Sequence, residues 1–103
     1  YYGTLAHELI HWTGHKSRLD RLQKQKREHY AFEELIAELG ACMVTTQYGG
    51  IADTENSAAY LQSWLKALRN DQRMIFRAAS PAQEATPFLI GASEMGRTLI
   101  AAE

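Results

Sequence analysis

The sequence predicts a mainly α-helical domain, and three observations carry that reading. Only two prolines occur in 103 residues, both after residue 80, so most of the chain lacks the strongest helix breaker. β-Branched residues are sparse, whereas Ala, Leu, Glu and Gln, which lose little freedom in a helix, are common. Phe32, Leu35, Ile36, Leu39 and Met43 recur at i, i+3, i+4, i+7 and i+11, the one-sided repeat of a packed helix.

The elements follow in order. A first helix is expected from about Leu5 to Gly14, with Thr4 as its capping hydroxyl and Leu5, Leu9 and Trp12 as its apolar side. Lys16 to Arg27 reads as a polar connection with six basic residues against one acid, Asp20. A second helix spans about His29 to Gln47 and stops at Gly49-Gly50. The third begins near Thr54, with Ala58, Leu61, Leu65 and Leu68 on one stripe and Tyr60 and Trp64 beside it. Asn70-Asp71 marks a break and a new cap, giving a short fourth helix over Gln72 to Ala79. Ser80-Pro81 then reads as a restart, with Pro81 at the first helical position. The segment from Pro87 to Glu103 is apolar and small, and its pattern assigns no element.

Residues 1–103 are expected to form one domain with a modest core. Tyr1 stands where an initiator methionine would be, so a stretch of a longer protein is expected. A net charge of −1 gives no global attraction to nucleic acid or to a membrane surface. The single cysteine, Cys42, cannot close an internal disulfide and suits a reducing compartment. No apolar run approaches the ~20 residues that a membrane-spanning helix needs.

The chemistry lies in His7-Glu8-Leu9-Ile10-His11, an H-E-x-x-H sequence. At ~100° per residue, positions four apart on a helix lie about 40° from each other, one turn along. His7 and His11 can therefore offer two imidazoles to one point. Glu8 lies near the same face and can act on a water held there. Two neutral nitrogen donors suit Zn²⁺, and a neighbouring carboxylate suits a general base in peptide hydrolysis.

A catalytic zinc takes a third protein ligand. Glu34 and Glu38 share a helix face at i and i+4, and Glu34 follows His11 by 23 residues. That arrangement is of gluzincin type: Glu34 is expected to bind the metal and Glu38 to hydrogen-bond a ligand imidazole, with the reverse assignment open. Glu33 points about 100° away and is expected to face solvent. His15 comes two residues too early for a metzincin ligand, where this chain has Ser17, and reads as a surface histidine. His29 reads as a helix-start residue. Cys42, Met43 and Trp64 read as core residues.

The run Tyr2-Gly3-Thr4-Leu5-Ala6-His7-Glu8-Leu9-Ile10-His11-Trp12-Thr13-Gly14-His15, then Arg18-Leu19, then Phe32-Glu33-Glu34-Leu35-Ile36-Ala37-Glu38-Leu39-Gly40, resembles the zincin-like metallopeptidase domain of ArdC-type antirestriction proteins. The same domain occurs in TraC-type plasmid primases and in polyvalent proteins of phages and plasmids. Asn56 to Tyr60, Ser63 to Leu68 and Phe76 to Ser80 extend the likeness over about residues 1 to 88. The resemblance implies that His7 and His11 are metal ligands, that Glu8 is the catalytic glutamate, and that Glu34 and Glu38 form the second acidic motif. It also implies the helical part of a zincin-like domain, with any β-sheet mostly upstream, and an N-terminal single-stranded-DNA-binding domain upstream as well. Such proteins travel on mobile elements and act in the bacterial cytoplasm, where ArdC-type proteins protect incoming DNA from restriction.

Two functional expectations follow. The first is a zinc-dependent peptide hydrolase with an unidentified protein or peptide substrate; Tyr30, Tyr60 or Tyr1 could stabilise its oxyanion. The second is a non-catalytic antirestriction domain that masks DNA or a restriction enzyme and carries a structural metal. The basic run from Lys16 to Arg27 lacks interleaved aromatics and reads as a solvated loop rather than a DNA contact.

Overall fold

The computed structural model describes residues 2–21, 27–50 and 54–102. Four helices occupy them, with no strand among the described residues: α1 (Tyr2–Thr13), α2 (Arg27–Gln47), α3 (Thr54–Ala67) and α4 (Arg73–Ala102). The mainly α class read from composition and periodicity holds. α2 is the central helix: α1, α3 and α4 all pack on it, and α1 also meets α4.

The core joins Ile10 of α1 to Leu35, Ile36, Ala37, Ala41 and Val44 of α2, Leu65 of α3 and Ala78, Ala82 and Ala85 of α4. Small residues let the helices approach closely. At Gly40 an added Cβ would stand 2.9 Å from both Cγ1 and Cδ1 of Ile10, which is wholly buried. The missing side chain of Gly40 thus sets how near α1 lies to α2.

Three expectations need correction. Thr4 is not a cap, because α1 begins at Tyr2 and Thr4 lies inside it. The apolar side of α1 is not the packed one: Leu5, Leu9 and Trp12 remain 37–45% exposed, while Ala6, His7, Ile10, Thr13 and Gly14 are buried. Trp12 instead lies beneath the Arg18 guanidinium and near Phe88. The restart at Ser80-Pro81 is absent, since α4 runs unbroken from Arg73 through both Pro81 and Pro87 to Ala102. Ala78, Ala82 and Ala85 share one wholly buried stripe against the core, and that continuous packing carries the helix across Pro81.

The helix ends follow their local chemistry. Gly49 takes a left-handed φ of 77° after α2, and Gly50 N donates to the Thr45 carbonyl at 2.9 Å. Arg69 and Asn70 are left-handed after α3, and Asp71 caps α4 by accepting from Arg73 N at 3.0 Å. The break expected at Asn70-Asp71 lies there. Past α1 the chain folds back on itself: Leu19 N bonds Thr13 O at 2.8 Å and Arg21 N bonds Gly14 O at 2.7 Å, with Asp20 left-handed between them. Among the described residues no helix is long and apolar enough to cross a membrane.

Candidate metal centre

The close approach of α1 and α2 sets one turn of each helix face to face. His7 and His11, four apart on α1, meet Glu34 of α2. His7 Nε2 lies 2.9 Å from Glu34 Oε2, and His11 Nε2 lies 3.0 Å from Glu34 Oε1. The two Nε2 atoms are 3.2 Å apart. One donor atom from each of the three residues lies within 4.8 Å of the others, a group able to hold a metal ion.

Each imidazole has a carboxylate on its other nitrogen. His7 Nδ1 faces Glu38 Oε2 at 2.9 Å, and His11 Nδ1 faces Glu33 Oε2 at 2.8 Å. With an ion on both Nε2 atoms, each Nδ1 would carry the ring proton and donate it to its carboxylate. The two Nε2 atoms and the Glu34 carboxylate would then converge on that ion as lone-pair donors. Two imidazole nitrogens and a carboxylate oxygen at this spacing are a donor set that fits a divalent metal.

The supporting contacts differ between the two histidines. Glu38 is held by a neutral group, the Ser57 hydroxyl of α3, which donates to Oε1 at 2.7 Å. Cys42 lies 3.4 Å from the same hydroxyl. Glu33 is held by the Arg21 guanidinium, Nε to Oε1 at 2.9 Å and Nη2 to Oε2 at 3.2 Å. Burial alone would raise the pKa of Glu33, but hydrogen bonds from His11 and Arg21, with the charge of both, pull it below the usual glutamate value. Burial opposes charge on His11 as well. There the Glu33 hydrogen bond and the charges of Glu34, Glu33 and Glu8 outweigh burial and raise its pKa.

Tyr60 of α3 closes another side, donating its hydroxyl to Glu34 Oε2 at 2.7 Å and setting its ring edge-on to His7 at 5.4 Å. Burial, then the bond to Glu34, pushes its pKa up to about 12, so it stays a donor across the neutral range. Tyr30 and Tyr60 both pack on Trp64, which is half-buried rather than in the core interior. Glu8 is exposed beside the centre. His15 is exposed and bonds Ser17, and His29 is exposed in the first turn of α2. Tyr1 lies outside the described residues.

The structure corrects the expectation for Glu33. It is 7% exposed, because α2 is covered on several sides and the turn after α1 folds over its early portion. Arg21, one of six cations in a run expected to be a solvated loop, likewise has an enclosed side chain. Sequence reasoning also missed Ser57. Glu33 carried a signal in its place beside Glu34, but Arg21 and Ser57 carried none, since both depend on a fold-back or a third helix.

A helical scaffold presenting H-E-x-x-H on one helix and a facing glutamate on the next is the kind of centre that defines zincin-type proteins. The sequence profile of the zincin-like metallopeptidase family matches residues 1–81, and the chain belongs to that family. Two DNA primases named TraC from Escherichia coli are 46% and 44% identical over 92 residues, 87% of this chain. The matched stretch spans only 9% and 6% of those primases. Among solved structures, the Mn(II)-bound crystal structure of the antirestriction protein ArdC from plasmid R388 is 53% identical, with a TM-score of 0.61. That match covers 88% of this chain and 32% of the ArdC chain.

Proposed function

We propose that this chain is the metal-dependent peptide-hydrolase domain of an antirestriction or plasmid-transfer protein, with His7, His11 and Glu34 as ligands and Glu8 as general base. The convergence of three donor atoms, each imidazole backed by a carboxylate, carries this reading. Two imidazoles and a carboxylate suit zinc, and the ArdC relative holds manganese, so Zn²⁺ is proposed with Mn²⁺ as its competitor. When bound, such an ion lowers the pKa of a coordinated water towards ~7 and polarises a carbonyl.

The remaining work falls to side chains. Glu38 and Glu33 hold the two rings in place through their Nδ1 protons. Glu8, exposed and close enough for its charge to act on His11, takes a proton from the attacking water and returns it to the leaving amine. Tyr60, whose hydroxyl already lies at the centre, is our choice to donate to the oxyanion. For the whole protein we propose single-stranded DNA as a partner, held by a domain upstream of this one.

Two variants test the reading in the intact protein. Glu34→Ala is expected to lose the metal, measured by elemental analysis after gel filtration, and undiminished metal would move the ligand role to Glu38. Glu8→Gln is expected to keep the metal and lose hydrolysis of a peptide library by at least ~100-fold. Retained turnover removes Glu8 from the mechanism.

The antirestriction name of the ArdC relative favours a second reading, in which the domain masks DNA or a restriction enzyme without cutting. Protection of DNA by Glu8→Ala separates the two: protection equal to wild type supports masking, and its loss supports hydrolysis.

A further inference from the structure

We propose that Arg21 is a positioning residue for the metal centre, fixing the orientation and proton position of His11 through Glu33. The inference rests on the metal-binding reading above.

The guanidinium makes a two-pronged contact with the Glu33 carboxylate, whose Oε2 also accepts from His11 Nδ1. The same guanidinium donates from Nη2 to the Ile10 carbonyl at 2.8 Å and from Nη1 to Thr13 Oγ1 at 3.0 Å. Ile10 directly precedes His11. The contacts therefore form a closed circuit from the backbone of α1, through Arg21 and Glu33, to the His11 ring on the same helix. A carboxylate held at both oxygens by a planar fork has little freedom to turn, so the ring it receives is fixed too. His7 differs: among the described residues its Glu38 is held by a neutral hydroxyl, that of Ser57 on α3.

The fold spends local structure on this placement. The turn of residues 14–21 is closed by two backbone hydrogen bonds to the end of α1 and passes through a left-handed Asp20. It leaves the Arg21 side chain only 12% exposed. The rival account is that Arg21 merely satisfies the Ile10 carbonyl, one of those a helix end leaves without partners. That role would affect stability but would leave the His11 ring unchanged.

The experiment compares wild type with Arg21→Met, Glu33→Gln, the double variant and Val44→Ala, a core truncation roughly 15 Å along α2 from Glu34. Zn(II) and Mn(II) affinities are measured in the intact protein by chelator competition. Ring-nitrogen NMR of the metal-free protein at about pH 9, where imidazole is neutral, reads the tautomer of each histidine. Arg21→Met is expected to lose roughly 10–100-fold in affinity and to shift His11 away from its Nδ1–H form while His7 keeps its own. Glu33→Gln loses a similar factor, and the double variant loses no more than the worse single one, because both act on one ring. Val44→Ala melts lower with unchanged affinity.

Unchanged affinity and unchanged His11 signals in Arg21→Met overturn the proposal, as do losses that multiply in the double variant. If Arg21→Met does not fold, Arg21→Lys, which keeps the charge but lacks the fork, is read the same way, and wild-type values there overturn it. If wild type binds neither metal, the metal reading fails by itself, and the His11 ring signals still decide whether Arg21 governs that side chain.

Discussion

At the scale of single residues, the centre works through the back of each imidazole as much as the front. Spacing alone placed His7 and His11 on one face and paired Glu34 with Glu38, because helical periodicity fixes which residues of one helix look the same way. It failed for Glu33, because periodicity does not say how many neighbours a helix has. Position 33 is solvent-facing on a helix with one partner and enclosed on one with three. The Ser57–Glu38–His7 chain yields a graded prediction. Glu38→Ala removes the acceptor for the His7 Nδ1 proton and is expected to weaken metal binding by roughly 10–100-fold. Ser57→Ala removes only the hydroxyl that steadies Glu38 and is expected to cost a few-fold at most. Chelator competition on both variants checks the order, and a larger loss for Ser57→Ala would show that Glu38 is not what orients His7.

At the scale of elements, helix identity was legible and helix contact was not. The periodic stripe of α2 and the turn at Asn70-Asp71 are local signals, and both correspond to structure. The packed side of α1 is set instead by a glycine on another helix. At Gly40 a methyl group would stand 2.9 Å from Ile10, whose side chain is wholly buried and would have to shift. Gly40→Ala is therefore expected to destabilise the fold by about 1–3 kcal/mol and to weaken metal binding, since any separation of α1 from α2 draws the histidines away from Glu34. Urea denaturation and chelator competition on the same variant check both effects. Ser80-Pro81 misled for a related reason: it is a sound local start signal overridden by the buried alanine stripe of α4. Within a continuous helix Pro81 forgoes a hydrogen bond to the Arg77 carbonyl, so Pro81→Ala is expected to stabilise by roughly 1–3 kcal/mol. Destabilisation of that variant would mean that α4 starts afresh at Ser80 after all.

At the scale of the molecule, the core and the site make opposite demands on stability. Among the described residues, seven of the twelve buried apolar ones are alanines, which bring helices close but remove little apolar surface from water. That closeness lets short carboxylates reach the imidazoles across the α1–α2 contact, and it also gathers Glu8, Glu33 and Glu34 around His11. Arg21 neutralises one of these carboxylates, at Glu33. A divalent cation on His7, His11 and Glu34 would supply charge where it is lacking and bind the folded chain alone, because α1 and α2 must meet to form the site. A ligand at a hundred times its dissociation constant adds about 2.7 kcal/mol to a fold it binds exclusively. For a domain of this size that corresponds to a rise of roughly 10 °C or more in melting temperature. Calorimetry of the metal-loaded protein before and after chelation is expected to show a drop of that order, while Glu34→Ala melts at one temperature with or without chelator. Equal melting of loaded and stripped wild type would show that no metal binds the folded chain selectively, and would overturn the metal-binding reading.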